Sequence, residues 1–363
     1  MYQHLEEQFT GCLLGGAIGD ALGWPVEFSG MDEIVKKYGP SGIKNLVPGE
    51  GGLYEITDDT QMTLFTAEGL LQAWPSARHY GGTPDFASAV KHSYNNWLKT
   101  QSEIEATLSH ETCHAGWLLS VEGLHRRRAP GNTCLSALLN GFLSDNGIVD
   151  NNSKGCGGVM RAAPAGLLAA RINNGERENT ARLAFEIGCA TAALTHGHPS
   201  GYYPAGVLAA IIAVIISGGS IEDGIQISLG FLAGRIGAME TANAVHAALG
   251  LWGDASVTPS PESIGLLGDG WTGEEALAIG IYCALVAGDD FVRGVQLAVN
   301  HSGDSDSTGS ITGNILGALL GERAIPNEWL NHLELKDVIK QIGNDVFTSF
   351  NGSASWLKRY PPC

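Results

Sequence analysis

Gly11-Cys12-Leu13-Leu14-Gly15-Gly16-Ala17-Ile18-Gly19-Asp20-Ala21-Leu22-Gly23 carries a glycine at every fourth position of an otherwise largely apolar run. The spacing predicts a helix over about 3–22 with one bare face. Glycine costs about 1 kcal/mol in a helix relative to alanine. Such a ridge has a use only where another backbone, or a ligand, comes very close. Gly15 to Gly19 is not a dinucleotide loop, because no strand precedes it. Trp24-Pro25-Val26 then leaves the helix and puts Glu27 in a loop among apolar neighbours. Glu27 is either a surface acid at a helix exit or an acid aimed into a cleft.

The helical period continues along the chain. It predicts further helices over about 61–74, 86–100, 102–125, 132–143, 158–173, 178–195, 203–217, 222–237, 240–252, 274–287, 289–300, 308–321 and 328–342. No convincing alternating strands and no repeat of roughly 20–50 residues are present. The expectation is an all-α, compact multi-helix bundle forming a single domain over 1–363. Residues 30 to 56, with Gly39-Pro40, Pro48-Gly49 and Gly51-Gly52, read as an irregular excursion. Residues 253–272 read as a lid or insertion. The segment 343–363, with Phe347, Phe350, Trp356 and Tyr360, reads as a tail packed on the body or on a partner.

Composition narrows the function. The net charge is −17 over 363 residues, which disfavours nucleic acid and anionic membranes as partners. The one basic run, His125 to Arg128, is short enough to be a solvated helix end. The longest apolar run, Ala205 to Ile216, falls short of the roughly 18 residues that span a bilayer and reads as a buried helix. Met1 to Gln8 has neither the basic nor the apolar region of a secretory signal. The 7 cysteines are scattered without a C-x-x-C pair. A cytoplasmic protein with reduced thiols is expected. The 50 glycines have no collagen period and imply tight turns and close helix contacts.

Two stretches concentrate hard oxygen donors. Asp304-Ser305-Asp306-Ser307-Thr308 opens an apolar helical run, and Thr57-Asp58-Asp59-Thr60 opens another. Each suits a helix cap. Each also suits a hard divalent cation such as Mg²⁺ or Mn²⁺, and together they suit a shared site, because gathered carboxylates repel unless a cation joins them. Asp304, Asp306, Thr308 and Gly309 mimic the start of a calcium loop. Its twelfth position, which needs a bidentate Glu, is Ile315, so that reading fails. The loop Asp150 to Arg161 is polar and glycine-rich and runs into a helix, which suits either a phosphate or plain flexibility. Thr195-His196 ends another helix. His110-Glu111-Thr112-Cys113-His114 matches H-E-x-x-H, the pattern of a zinc metalloprotease. The metzincin continuation fails at Trp117 and Ser120, and no acid lies between Glu122 and Asp145 to serve as a third ligand.

Taken in order, these pieces resemble the ADP-ribosylglycohydrolase family: Gly11 to Gly23 with Glu27, Thr57-Asp58-Asp59-Thr60, Gly155-Cys156-Gly157-Gly158-Val159-Met160-Arg161, Thr195-His196, and Gly303 to Ser307. The resemblance runs over nearly the whole chain. It implies an orthogonal helical bundle with a central two-metal cleft. Thr57, Asp58 and Asp59 would hold two Mg²⁺ (or Mn²⁺) from one side, and Asp304, a bridging Asp306 and Ser307 from the other. The family often has Thr at the position of Ser307, and Thr308 is the alternative hydroxyl. Ser153, Gly155 and Gly157 match the loop that cradles the diphosphate and distal ribose, although many members carry Asn in place of Cys156. His196 matches a nucleotide-contacting position, and Glu27 the mobile glutamate near the scissile ribose. The implied reaction is hydrolysis of the bond from ADP-ribose to a protein side chain, most often arginine. In that chemistry the cations orient the ribose and the attacking water, and Asp58 or Asp59 takes its proton. The implied partner is an ADP-ribosylated protein. The rival readings are a zinc metalloprotease at His110 and His114, and a protein that recognises ADP-ribose, an ADP-ribosyltransferase or a toxin without turnover.

Overall fold

The computed structural model describes residues 2–80, 82–101, 115–140, 142–173, 175–349 and 352–362. They form an all-α assembly. The first half holds α1 (Tyr2–Gly23), α2 (Met31–Tyr38), α3 (Asp58–Tyr80), α4 (Phe86–Thr100), α5 (Asn132–Asn140), α6 (Ala163–Ile172) and α7 (Arg177–Ala192). The second holds α8 (Pro199–Ile216), α9 (Ile221–Leu232), α10 (Met239–Gly253), α11 (Pro261–Ile264), α12 (Gly273–Ala287), α13 (Phe291–Val299) and α14 (Ser305–Leu320). Three more close the chain: α15 (Asn327–Leu330), α16 (Lys336–Thr348) and α17 (Ala354–Arg359). Pairing of extended backbone among the described residues is limited to isolated bridges such as Gly155 with Thr272.

The glycine ridge of α1 meets the backbone of α14. A Cβ built on Gly15 would lie 2.3 Å from the Gly313 carbonyl oxygen, and one on Gly23 would lie 2.3 Å from that of Ser305. Gly309, Gly313 and Gly317 form the answering ridge: a Cβ on Gly317 would lie 2.0 Å from the Gly11 oxygen. The two helices are antiparallel and in step, one turn of each per contact. With no side chains between them they approach more closely than the roughly 8–10 Å usual for helix pairs. Both are buried on nearly all sides from Phe9 to Gly23 and from Ser305 to Ala318. They form the axis around which the other helices pack. One helix, α8, is long and apolar enough to cross a membrane, and 89% of it is buried inside the protein against α6, α7, α9 and α12.

Several boundaries differ from the sequence expectation, each for a tertiary reason. Residues 30–56 contain α2, which has acids in its first turn and lysines in its last but buries only Ile34. Of the helix expected over 102–125, residues 102–114 lie outside the described residues, and with them the H-E-x-x-H motif at His110 and His114. The rest of that span forms two 3₁₀ turns, where the Leu118 amide donates to the buried Glu68 carboxylate at 2.9 Å. The helix expected from 158 starts at Ala163, because Gly157 and Gly158 turn tightly against His196 and the Gly201 carbonyl. The helix expected over 328–342 breaks at Leu335 (φ 56°), where Glu334 takes the Ile56 amide at 3.1 Å. In the tail, Trp356 and Tyr360 are fully buried, Tyr360 donates to Asp345 at 2.8 Å, and Phe347 packs edge-on against Phe9.

The ridge makes a stability prediction. Gly313→Ala places a methyl group 2.0 Å from the Gly15 oxygen, so it should destabilise by about 3 kcal/mol or prevent folding. Gly250→Ala, in α10 with open space around it, should be stabilising by about 0.5–1 kcal/mol. Urea unfolding of the two variants beside the parent checks both signs. Equal effects would rule out the close backbone contact.

Candidate active site

The α1/α14 register sets the site. α1 ends at Gly23 beside Ser305, so the turn after α1 brings Glu27 to the start of α14, where Asp304 and Asp306 sit. α3 adds its own N-terminus, because Asp20 on α1 holds it. The fully buried Asp20 carboxylate accepts the backbone amides of Thr57 (3.0 Å) and Thr60 (3.2 Å) and the Thr60 hydroxyl. Two helix N-termini, each the positive end of its macrodipole, thus open onto one cleft.

That cleft has a volume of about 190 Å³ and is lined by Glu27, Asp58, Asp59, Asp304, Asp306 and Ser307 on its acidic side. Gly155, Cys156, Gly157, His196 and Trp271 form the facing wall. Asp304 does act as a cap: its Oδ1 accepts the Ser307 amide at 3.3 Å. Its Oδ2 is free of that duty and accepts from the Cys156 thiol at 2.7 Å. Asp58 Oδ2 takes the Gly131 amide at 3.2 Å. Asp59 Oδ2 takes the Ser307 hydroxyl at 3.4 Å, while its Oδ1 and the Glu27 Oε2 are buried without a hydrogen-bond partner. The Ser307 amide also bonds Asp306 Oδ1 at 2.9 Å, so capping engages an oxygen of each of these two acids, while Asp59 Oδ1 and Glu27 Oε2 stay without a hydrogen bond.

The electrostatics match this crowding. Burial, and then the neighbouring acids Asp304, Asp58 and Asp20, push Glu27 up to about 8. Burial raises Asp58 to about 8, opposed by the Gly131 amide and assisted by Asp20 and Asp304. Burial and the surrounding carboxylates also hold Asp59 and Asp306 well above the usual range. Protonation or a cation is needed to keep so many acids together. Orphaned oxygens on Asp59 and Glu27, hard carboxylate and hydroxyl donors, and two facing helix starts fit divalent cations of the Mg²⁺ or Mn²⁺ class. Among the described residues no three His, Cys, Asp or Glu side chains already stand at ligand spacing.

The remaining expected residues fall in different places. Thr57 is fully buried behind the wall and accepts the Asp59 amide at 3.3 Å. Thr308, the alternative to Ser307, turns its hydroxyl to the Ala298 (2.8 Å) and Asp304 (2.9 Å) carbonyls and the His301 ring, away from the cleft. Ser153 braces the glycine loop from behind, bonding Thr133 Oγ1 at 3.0 Å. Of the segment 253–272, Trp271 lines the cleft. Asp269 O accepts the Asp304 amide at 2.9 Å, and Trp271 O accepts the Cys156 amide at 3.1 Å. Gly303 (φ 141°) is needed there, since any Cβ would meet the Asp269 oxygen at 2.0 Å. Sequence reasoning gave no role to Asp20, whose signal was an acid in an apolar glycine helix. It also missed Trp271, which stacks on the exposed Phe28 at 5.8 Å beside the mouth.

A larger hollow, about 350 Å³ at the far end of α1, is polar but internally neutralised: Glu7 pairs with Arg323 (2.6 Å) and Glu322 with Lys340 (2.5 Å). It lacks the convergent unpartnered acids of the cleft.

Comparison with known proteins gives the family and the fold. The ADP-ribosyl-dinitrogen reductase glycohydrolase of Rhodospirillum rubrum is 27% identical over 92% of either chain. The ADP-ribosylarginine hydrolase Tri1 of Serratia proteamaculans is 26% identical over 94% of this chain and 79% of the relative. An ADP-ribosylglycohydrolase-related protein complex has a chain of the same fold, with TM-score 0.60 and 24% identity over 96% of this chain and 99% of its own. The sequence model of the ADP-ribosylglycohydrolase family matches residues 1–355, and the chain belongs to that family.

Proposed function

We propose that the chain hydrolyses the N-glycosidic bond joining ADP-ribose to arginine side chains of modified proteins, using two Mg²⁺ or Mn²⁺ in the cleft. Family membership makes it a glycohydrolase of ADP-ribosylated proteins. The observation that carries the finer reading is the convergence of Glu27, Asp58, Asp59, Asp304 and Asp306 opposite the Gly155–Gly157 loop.

Asp58, Asp59, Asp304 and Asp306 with Ser307 would hold the cations, with Thr57 behind them fixing the Asp59 backbone. Bound there, the ions would supply positive charge to the ribose hydroxyls and lower the pKa of an attacking water. Asp58 or Asp59 accepts the water's proton. Glu27, one peptide before the exposed Phe28 and buried at the cleft's edge, steers the scissile ribose. Gly155 and Gly157 carry no side chain to keep the diphosphate away from this wall. The leaving guanidinium is a planar cation, and a site with an acidic wall and the Phe28–Trp271 stack at its mouth complements it. The partner is accordingly an arginine-modified protein. An ADP-ribosyltransferase or toxin acting on the same target is the expected source of that modification.

Release of ADP-ribose from arginine-modified protein in Mg²⁺ tests this reading. Asp304→Ala and Asp58→Ala should each lower the rate by about a hundredfold or more. Full activity in EDTA would sink the cation assignment. Trp271→Ala should lose more on arginine-linked than on serine-linked substrate.

Stability gives a second test. A carboxyl raised by the fold favours the folded state while it is protonated. In protein stripped of cations these carboxyls should thus contribute their full stability below about pH 4. That protein should lose stability as the pH climbs from the ordinary values of Glu27 and Asp58, 4.5 and 3.8, through about 8. Mg²⁺ or Mn²⁺ should raise the melting temperature strongly at about pH 8 and little at about pH 5. A melting curve at about pH 8 that ignores both ions contradicts a cation site in the cleft.

A further inference from the structure

Arg161, just before α6, is 1% exposed. Its guanidinium lies 4.4 Å from the centre of the Tyr94 ring and donates to Met62 Sδ and Cys134 Sγ, both at 3.2 Å. Its shortest bond, 2.6 Å, goes to the Thr195 hydroxyl. None of these partners is a carboxylate, although the acidic cleft begins at Cys134. A fully buried cation without a carboxylate partner is uncommon, and here it is aimed at a hydroxyl.

Bond accounting then fixes the hydroxyl. It has one proton and two lone pairs, and Arg161 can only donate. The proton has two takers, His196 Nδ1 at 2.8 Å and the Ala192 oxygen at 3.4 Å. The Ala192 oxygen already accepts the Thr195 (3.1 Å) and His196 (3.0 Å) amides. So Thr195 donates to Nδ1. An imidazole nitrogen that accepts carries no proton, and the neutral ring then carries its proton on Nε2. Burial, and then Arg161, keep the ring neutral by lowering it to about 3. The Nε2 atom is buried without a partner, and the His196 residue lines the cleft. It faces the glycine loop: a Cβ on Gly157 would lie 3.2 Å from it, and one on Gly155 3.5 Å.

We infer that Arg161, acting through Thr195, holds His196 in the Nε2–H tautomer, so that the ring offers a hydrogen-bond donor to an oxyanion seated against Gly155–Gly157. The opposite tautomer would turn a lone pair toward that anion and repel it. Arg161 and Thr195 are positioning residues, since neither reaches the ligand. The tautomer stands on the bonding of the free protein. Its use on a phosphate oxygen of ADP-ribose rests on the function proposed above.

Nitrogen NMR of the free protein with ¹⁵N-labelled histidine reads the tautomer directly. His196 should show a protonated Nε2 and a bare Nδ1, and Thr195→Ser should keep that pattern. Thr195→Val removes the hydroxyl donor and should mix the tautomers. By calorimetry in Mg²⁺ it should bind ADP-ribose about tenfold more weakly, and Thr195→Ser should recover most of that affinity. A parent protein with the His196 proton on Nδ1, or a Thr195→Val variant that binds ADP-ribose as tightly as the parent, overturns the inference. A parent that shows the Nε2–H tautomer but no affinity for ADP-ribose overturns the proposed function and leaves the tautomer standing.

Discussion

The backbone of α1 lies directly on the backbone of α14, and the rest of the molecule depends on that contact. Glycine is a poor helix residue, and each one here gives up about 1 kcal/mol of propensity. What it returns is position. With Gly19 against Gly309 and Gly23 against Ser305, the last turn of one helix lies over the first turn of the other. Side chains between them would have pushed Glu27 away from Asp304 and Asp306. The same helix carries Asp20, which grips the Thr57–Thr60 turn and brings a second helix start to the same place. Three segments far apart in the chain therefore meet because one helix has a bare face.

What they bring together is unfavourable in itself. Five buried acids surround about 190 Å³ of space; burial and then neighbouring carboxylates raise Glu27, Asp59 and Asp306, burial chiefly raises Asp58, and oxygens on Asp59 and Glu27 are left without partners. A fold selected only for stability would replace them with apolar residues. The surrounding bundle, with its largely apolar α8 and continuous core, supplies the rigidity that holds such a cluster in place. Local strain at the site and surplus packing elsewhere belong to one design.

The helical class was legible because apolar period is a local property, and the site was legible because Asp and Thr cluster in sequence at two helix starts. The ridge on α1 was legible too, but its partner was not: Gly309, Gly313 and Gly317 look like ordinary small residues until Gly11 to Gly23 lie on them. α2 was missed because glycine and proline on either side dominate the reading of 30–56, while its acid-first, lysine-last charge order is a weaker signal. Asp20 was read only as part of a motif, since its partners, Thr57 and Thr60, are some forty residues away. Trp271 and Phe28 sit on separate loops whose meeting depends on the fold alone. The choice between Ser307 and Thr308 rests on which way a helix turns, and Thr308 faces Ala298 and its own preceding turn.

A chain of net charge −17 that binds a diphosphate must place positive potential with care. Lysines on the surface would be screened within about 10 Å at ordinary salt. The cleft instead draws on groups that salt reaches poorly. The helix starts at Asp58 and Ser305 lie at the acidic wall, and Gly155 and Gly157, which have no side chains, lie at the other. Behind that second wall stands Arg161, buried beside Tyr94 and joined through Thr195 to His196. The acids are thus kept on one side of the cleft and the donors on the other. On the function proposed above, that separation would let one small cavity hold cations and an anion together without either cancelling the other before the substrate arrives.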